Sequence, residues 1–294
     1  MEIRVLRYFL AVAKAESISK AASLLNISQP TLSRQLMNME EELGKSLFIR
    51  GNRKITLTEE GKFLRIRAQE IIDLIDKTQS EFNTSNEIIS GDIYIGGGET
   101  DAIRLIAKCA HSLQKKYPNI RYHLFSGNGD DVTDKLDKGL IDFGIVIEPF
   151  DLSKYDFIRI PQKDTWGLLM KKESPLASKD FIEPSDLLNI PIITSSQRLV
   201  ESEISKWFGK DLSELNIVAT YNLVYNASLL VDEGMGYALC LDKLINTTSD
   251  SNLCFRPLYP PLEASLNIIW KKYQVFSRAS ETFLRYLQEN LKNN

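Results

Sequence analysis

Residues 17–44 read SISKAASLLNISQPTLSRQLMNMEEELG, two helical patterns on either side of a polar turn. In the first pattern Ser17 and Ser19 are N-cap residue types, and the small neighbours Ala21 and Ala22 in the segment Lys20 to Leu25 let a second helix approach closely. Asn26 ends it. Ser28 is again an N-cap type and Pro30 falls in the first turn, where a missing N–H costs nothing. A helix is therefore predicted from Gln29 through Leu32, Leu36 and Met39 to Leu43, closed by Gly44 at C′. Two helices joined by Asn26-Ile27-Ser28 form a helix-turn-helix, whose second helix presents its N-terminal residues to base edges in a major groove. The outward residues of that helix are Gln29, Thr31, Ser33, Arg34 and Gln35, hydrogen-bonding groups rather than a Glu/Lys mixture. Arg34 suits a guanine edge, Gln29 an adenine edge, and Thr31 or Ser33 a phosphate or a thymine methyl.

Upstream, Val5, Leu6, Phe9, Leu10 and Ala13 recur at helical spacing and predict a first helix with one buried stripe. Downstream, residues 47–50, the turn Gly51-Asn52-Arg53-Lys54 and residues 55–58 read as strand, basic turn, strand. A hairpin tip with Arg50, Arg53 and Lys54 is expected to lie against the phosphate backbone or enter a minor groove. A long helical pattern follows from Glu59 to about Glu87, and Leu64, Ala68, Ile71, Ile75, Thr78 and Phe82 alternate spacings of four and three, a seam of the kind that pairs two helices into a dimer.

Composition sharpens the picture. The 294 residues suggest two or three domains, and 43% hydrophobic with 26% charged residues is ordinary for a globular chain. The net charge of -3 argues at first against nucleic acid. It conceals an asymmetry: residues 1–67 hold 12 Lys/Arg against 7 Asp/Glu, a net of +5, and residues 68–294 hold 24 against 32, a net of -8. No run approaches the roughly 18 apolar residues needed to span a bilayer, and the start Met1-Glu2-Ile3-Arg4 does not read as a secretory leader, so a cytoplasmic protein with no membrane partner is expected. Three widely spaced cysteines (Cys109, Cys240, Cys254) and two histidines (His111, His123) provide neither a zinc pattern nor a Ser-His-Asp set. No catalytic residue, metal site or cofactor is expected.

The segment from Phe9 to Gly61 resembles the LysR-type transcriptional regulators nearly position for position. The resemblance is carried by Ala21-Ala22, Leu25, Ser28-Gln29-Pro30, Leu32-Ser33, Glu40, Leu43-Gly44, Leu47-Phe48, Arg50, Arg53, Leu57-Thr58 and Gly61. It implies that residues 18–37 are the helix-turn-helix, with Gln29, Pro30, Ser33 and Arg34 at the DNA and Arg53 in the wing. Thr31 and Glu60 depart from the family pattern, where alanine is usual, and Thr31 could alter base preference. The DNA-contacting set is thus Ser28, Gln29, Pro30, Thr31, Ser33, Arg34, Arg50, Arg53 and Lys54. A homodimer or homotetramer on double-stranded DNA is implied, together with a small-molecule effector.

In the acidic body, Ile88-Ile89-Ser90-Gly91 breaks the long helix and leads into a strand at 92–96. Further strands are predicted at 121–126, 142–147, 190–194, 215–219 and 264–271, and helices at 103–117, 132–140, 198–208, 222–231 and 277–291. Such alternation argues for α/β domains. The family resemblance adds that the last strand and helix return to the first of two lobes, a fold similar to type 2 periplasmic binding proteins. The expected layout is a winged helix-turn-helix domain over 1–58, a linker and dimerisation helix over 59–89, and an effector-binding domain over 90–294, with lobe I at about 90–161 and 266–294 and lobe II at about 162–265.

Gly96-Gly97-Gly98 invites a phosphate-loop reading, but Asp101 stands where the dinucleotide motif needs glycine. Thr100 near a helix N-terminus is a natural anion site. Ligands in open α/β sheets bind beyond the strand ends, which here supply Gly98, Glu99, Thr100, Ser126, Asn128 and Glu148 from one lobe and Thr194, Ser195 and Asn226 from the other. Each of these types also caps helices or turns, and Glu99 with Glu148 leaves the effector's charge open. Two other classes are weighed. An enzyme or binding protein with an incidental basic head needs a catalytic constellation, which is not found; an architectural DNA protein without sequence preference does not need Gln29, Ser33 and Arg34 at base-facing positions. An oxidant sensor is disfavoured because neither Cys240 nor Cys254 has a basic cluster beside it.

Overall fold

Two serine hydroxyls start two helices of the N-terminal unit. In the computed structural model, which describes residues 1–51, 54–82 and 89–292, the Ser17 side chain accepts from the Lys20 N–H and the Ser28 side chain from the Thr31 N–H. The elements of this unit, residues 1–83, are α1 (Ile3–Ala15), α2 (Ile18–Leu24), α3 (Gln29–Leu43), β1 (Phe48–Arg50), β2 (Ile55–Leu57) and α4 (Glu59–Phe82). Asn26 and Gly44 take the left-handed conformation that ends α2 and α3. Ala21 and Ala22 are buried beside Phe9, Val12, Leu32 and Leu36, as their size predicts.

The wing is fixed at both ends. Glu40 on α3 accepts from the backbone N–H groups of Leu47 (2.6 Å) and Phe48 (3.2 Å), and Phe48 packs on Phe9 with ring centroids 5.3 Å apart. Thr58 donates to the Ser46 carbonyl (2.8 Å) and accepts from the Gly61 N–H (3.0 Å), which starts α4. A Cβ on Gly61 would lie 2.1 Å from the Leu47 carbonyl oxygen, so only glycine fits there.

The seam predicted on α4 is divided between two faces. Leu64, Ala68 and Ile72 face inward and belong to the core of this unit, and Arg7 of α1 pairs with Asp76. Ile71 and Phe82 are exposed, together with Phe63, Ile66 and Leu74. The spacing of Leu64 and Ala68 therefore reports packing within the domain, and the exposed apolar residues lie apart from it.

Residues 84–294 form the second unit. Lobe I is a five-stranded sheet in the order β4 (Ile120–Ser126), β3 (Gly91–Gly97), β5 (Phe143–Ile147), β13 (Leu266–Lys271), β6 (Tyr155–Arg159), covered by α5 (Ile103–Lys116), α6 (Gly129–Asp137) and α9 (Arg278–Lys292). Lobe II is a sheet in the order β11 (Leu253–Pro257), β7 (Asp164–Lys171), β10 (Tyr237–Leu241), β8 (Pro191–Ser195), β9 (Asn216–Tyr221), with β12 (Glu263–Ala264) paired to β7 and with α7 (Arg198–Phe208) and α8 (Val224–Asp232) packed on it. The chain passes to lobe II between β6 and β7 and returns between β12 and β13, so β13 lies antiparallel between β5 and β6 in an otherwise largely parallel sheet.

Gly96 and Gly97 are packing residues: a Cβ on Gly96 would meet Ile141 at 2.6 Å and one on Gly97 would meet Ile145 at 3.0 Å. Strands β6, β7, β10 and β11 are additional to the strands expected from sequence. Residues 166–170 of β7 are all buried, so the alternation that marks a half-exposed strand is absent.

Candidate functional site

The N-terminal unit presents one polar helix end. Beyond the Ser28 cap, Gln29, Pro30, Thr31 and Arg34 are exposed on α3 and Ser33 is half-buried. Ser28 and Thr31 are already engaged: their hydroxyls hydrogen-bond to each other at 2.8 Å, so both serve the cap before they serve a ligand. The exposed Lys54 ammonium lies 3.4 Å from Glu16, which tempers its charge. Arg53 and the side chain of Arg50 lie outside the described residues.

In the second unit, strand ends of both lobes meet at three adjoining cavities. One of about 250 Å³ is lined by Gly96 to Thr100, Phe125 and Ser126 of lobe I and by Leu244. A second, of about 420 Å³, has Asp130, Glu148 and Phe150 on one side and Trp166, Gln197 and Glu203 on the other. Between them the space narrows to about 40 Å³, lined by Gly98, Glu99, Ser195, Tyr221, Asn222 and Val224 among others. Here the Glu99 carboxylate of lobe I accepts from the backbone N–H of Val224, the first residue of α8 in lobe II.

Of the nine residues expected at the cleft, Gly98, Glu99, Ser126, Glu148 and Ser195 line these cavities with groups turned to structural partners in only some cases. Glu148 accepts from Asn267 (2.8 Å) and Arg159 (2.7 Å), which hold its carboxyl below the usual range against the opposing effect of burial. The other four are engaged or placed differently. Thr100 lines a wall, but its side chain is buried, donates to Asp164 and accepts from the Ala102 N–H (3.1 Å). Burial pushes the Asp164 carboxyl up, with the Thr100 hydrogen bond acting the other way. Asn128 caps α6 in a reciprocal box with Asp131, Thr194 is buried at the end of β8, and Asn226 is exposed on α8; none of the three lines these cavities.

Reading from sequence missed Trp166, Gln197 and Tyr221, whereas Asn222, at the helix start expected at 222–226, lines the smallest cavity. Tyr221 donates to the Leu239 carbonyl at 2.7 Å, and burial pushes its phenol well above the ordinary value. All three cysteines are buried and burial raises each thiol, Cys240 to about 12, which is the opposite of what an oxidant-sensitive thiolate needs. Among the described residues, no group of His, Cys, Asp and Glu could hold a metal ion, and no helix is long and apolar enough to cross a membrane.

A winged helix-turn-helix joined in one chain to a two-lobed α/β receptor defines a ligand-responsive transcription regulator. The chain belongs to the LysR family: residues 3–62 match the bacterial regulatory helix-turn-helix protein of the lysR family and residues 87–292 match the LysR substrate binding domain. Its relatives include the HTH-type transcriptional regulator IlvY of Escherichia coli K12, 26% identical over 85% of each chain. The Hca operon transcriptional activator HcaR of the same organism is 26% identical over 99% of this chain and 98% of its own. Among solved structures, the LysR family regulator CbnR covers 99% of both chains with a TM-score of 0.78 at 18% identity, a likeness of fold.

Proposed function

We propose that the N-terminal half of α3 reads base edges through Gln29, Ser33 and Arg34, with Ser28, Pro30 and Thr31 setting the helix end and Arg50, Arg53 and Lys54 holding phosphates. The observation that carries this reading is the exposed, hydrogen-bonding start of α3 directly past its serine cap, in a basic domain. A small-molecule effector binds in the interlobe cleft around Glu99, Ser126, Glu148 and Ser195, and the protein regulates transcription without being an enzyme. The exposed apolar residues Phe63, Ile66, Leu74 and Phe82 of α4 support self-association, which would place two recognition helices on a two-fold site. The layout remains a winged domain over 1–58, a dimerisation helix within 59–89 and an effector domain over 90–294, in a cytoplasmic protein.

Binding sites selected in vitro from random DNA provide the test. Arg34→Ala should weaken the selected site by about 1–3 kcal/mol and relax base preference, whereas Lys54→Ala should weaken all DNA alike and reduce the salt slope by about 1. Equal loss of specificity from both would overturn the division into base readers and phosphate holders.

A further inference from the structure

We propose that Glu99 is an internal occupant of the effector cleft: its carboxylate holds the start of α8 in the place of a ligand, and a carboxylate-bearing effector binds by taking over the Val224 N–H and releasing Glu99. The inference rests on the reading of the interlobe cleft as the effector site.

The geometry behind it is an unusual cap. Helix α8 has no N-cap side chain of its own: Leu223 stands at that position, and the Asn222 side chain is turned to the Leu223 N–H at 2.9 Å. The first-turn N–H groups and the helix dipole favour an anion. Glu99 supplies it from the other lobe, 125 residues away in sequence. One hydrogen bond thus both completes a helix and ties lobe I to lobe II. Glu99 lines both the cavity of about 250 Å³ and the small one of about 40 Å³, and the small one shares Ile147, Trp166, Gln197 and Val200 with the cavity of about 420 Å³.

The surrounding charges make this an exchange. Asp130, Glu148 and Glu203 line the larger cavity, so its described walls are acidic. A second carboxylate added beside Glu99 would be repelled. One that displaces it keeps the charge at α8 constant and frees the lobe I loop that carries Glu99, so that ligand binding and lobe spacing become linked.

The test uses the full-length protein with butanoate as probe and butylammonium as the charge control. Hydrogen exchange should show the first-turn amides of α8 at least about tenfold less protected in Glu99→Ala than in the wild type. Butanoate, followed by thermal shift and by tryptophan emission, to which Trp166 on the cavity wall contributes, should bind Glu99→Ala and Glu99→Gln about tenfold or more tightly than the wild type, the order expected for a charge-assisted hydrogen bond. Glu99→Gln keeps an acceptor for the Val224 N–H and guards against a folding defect in the alanine variant. Unchanged exchange at α8 overturns the internal occupant. So does butylammonium binding that the wild type shows and Glu99→Ala loses, because Glu99 would then be the counter-ion of a cationic ligand. Tighter butanoate binding with no change in DNA affinity supports the exchange while removing the effector-site reading on which it rests.

Discussion

Replacing Glu40 tests how the wing is held on the recognition helix. One carboxylate oxygen accepts from both Leu47 and Phe48 N–H groups, at 2.6 and 3.2 Å. Hydrogen bonds to a charged acceptor contribute about 1.5–3 kcal/mol each, and a site that water partly reaches retains the lower part of that range, so Glu40→Ala should cost about 2–3 kcal/mol. Glu40→Gln keeps an oxygen in place and loses the charge, and should cost about 1 kcal/mol. Leu47 and Phe48 are themselves buried, and Leu47 O accepts from the Thr58 N–H at 3.0 Å, so the loss propagates to the start of α4. Urea unfolding of the purified variants gives the stability terms, and fluorescence anisotropy on a selected DNA site at two salt concentrations gives the effect on the wing. Affinity should fall most at low salt, where phosphate contacts weigh most. If Glu40→Ala unfolds within 0.5 kcal/mol of the wild type, the carboxylate is not what fixes the wing, and this account of the β1 entry fails.

Two further outcomes follow from buried groups of the receptor unit. Burial alone would raise the Asp92 carboxyl, but hydrogen bonds from Arg121 (2.8 and 2.9 Å) and His123 (2.7 Å) outweigh it and hold the group below its ordinary 3.8. Stabilisation by Asp92 is therefore fully present above the unfolded value and is lost as pH falls through the lower folded one. Asp92→Asn should lower stability by roughly 1–2 kcal/mol at pH 7, and the difference between variant and wild type should shrink below about pH 4 in thermal melts; a difference independent of pH would exclude the ionised group as its source. For the cysteines, native protein treated with iodoacetamide at pH 8 should remain unmodified at Cys240 until it unfolds, as judged by mass spectrometry. Rapid labelling, or a Cys240–Cys254 disulfide under mild peroxide, would reinstate redox sensing.

The winged domain was legible because its signals are local. Caps at Ser17 and Ser28, left-handed residues at Asn26 and Gly44, and the pair Ala21-Ala22 each act within one or two turns, and the structure uses each of them as the sequence predicts. On α4 an inward face and a partner face have the same periodicity, and only the packing of Leu64 and Ala68 on the domain core tells them apart. In the receptor unit, β5 and the start of α7 could be read from sequence, whereas the occupation of single side chains could not. Thr100 is claimed by Asp164, 64 residues further on, a pairing that no local rule reveals. Asn128 is a different case: Asp131 three residues later is the spacing of a capping box, so its role at the start of α6 is legible locally.

The acidic body then acquires a meaning beyond solubility. A net charge of -8 disfavours contact with phosphate, and part of it lies inside the cleft, at Glu99, Asp130, Glu148 and Glu203. A ligand shifts a conformational equilibrium only by its differential affinity for the two states, and tight binding to both shifts nothing. An anion that settled in the larger cavity and left Glu99 on Val224 would leave that particular lobe-to-lobe tie as it is in the free state. One that removes Glu99 changes that tie, and a tie worth about 1.4 kcal/mol alters the ratio of the two states tenfold. On this reasoning effectors that compete with Glu99 act through that tie, and ranking ligands by the affinity gained on Glu99→Gln would find them where ranking by affinity alone would not.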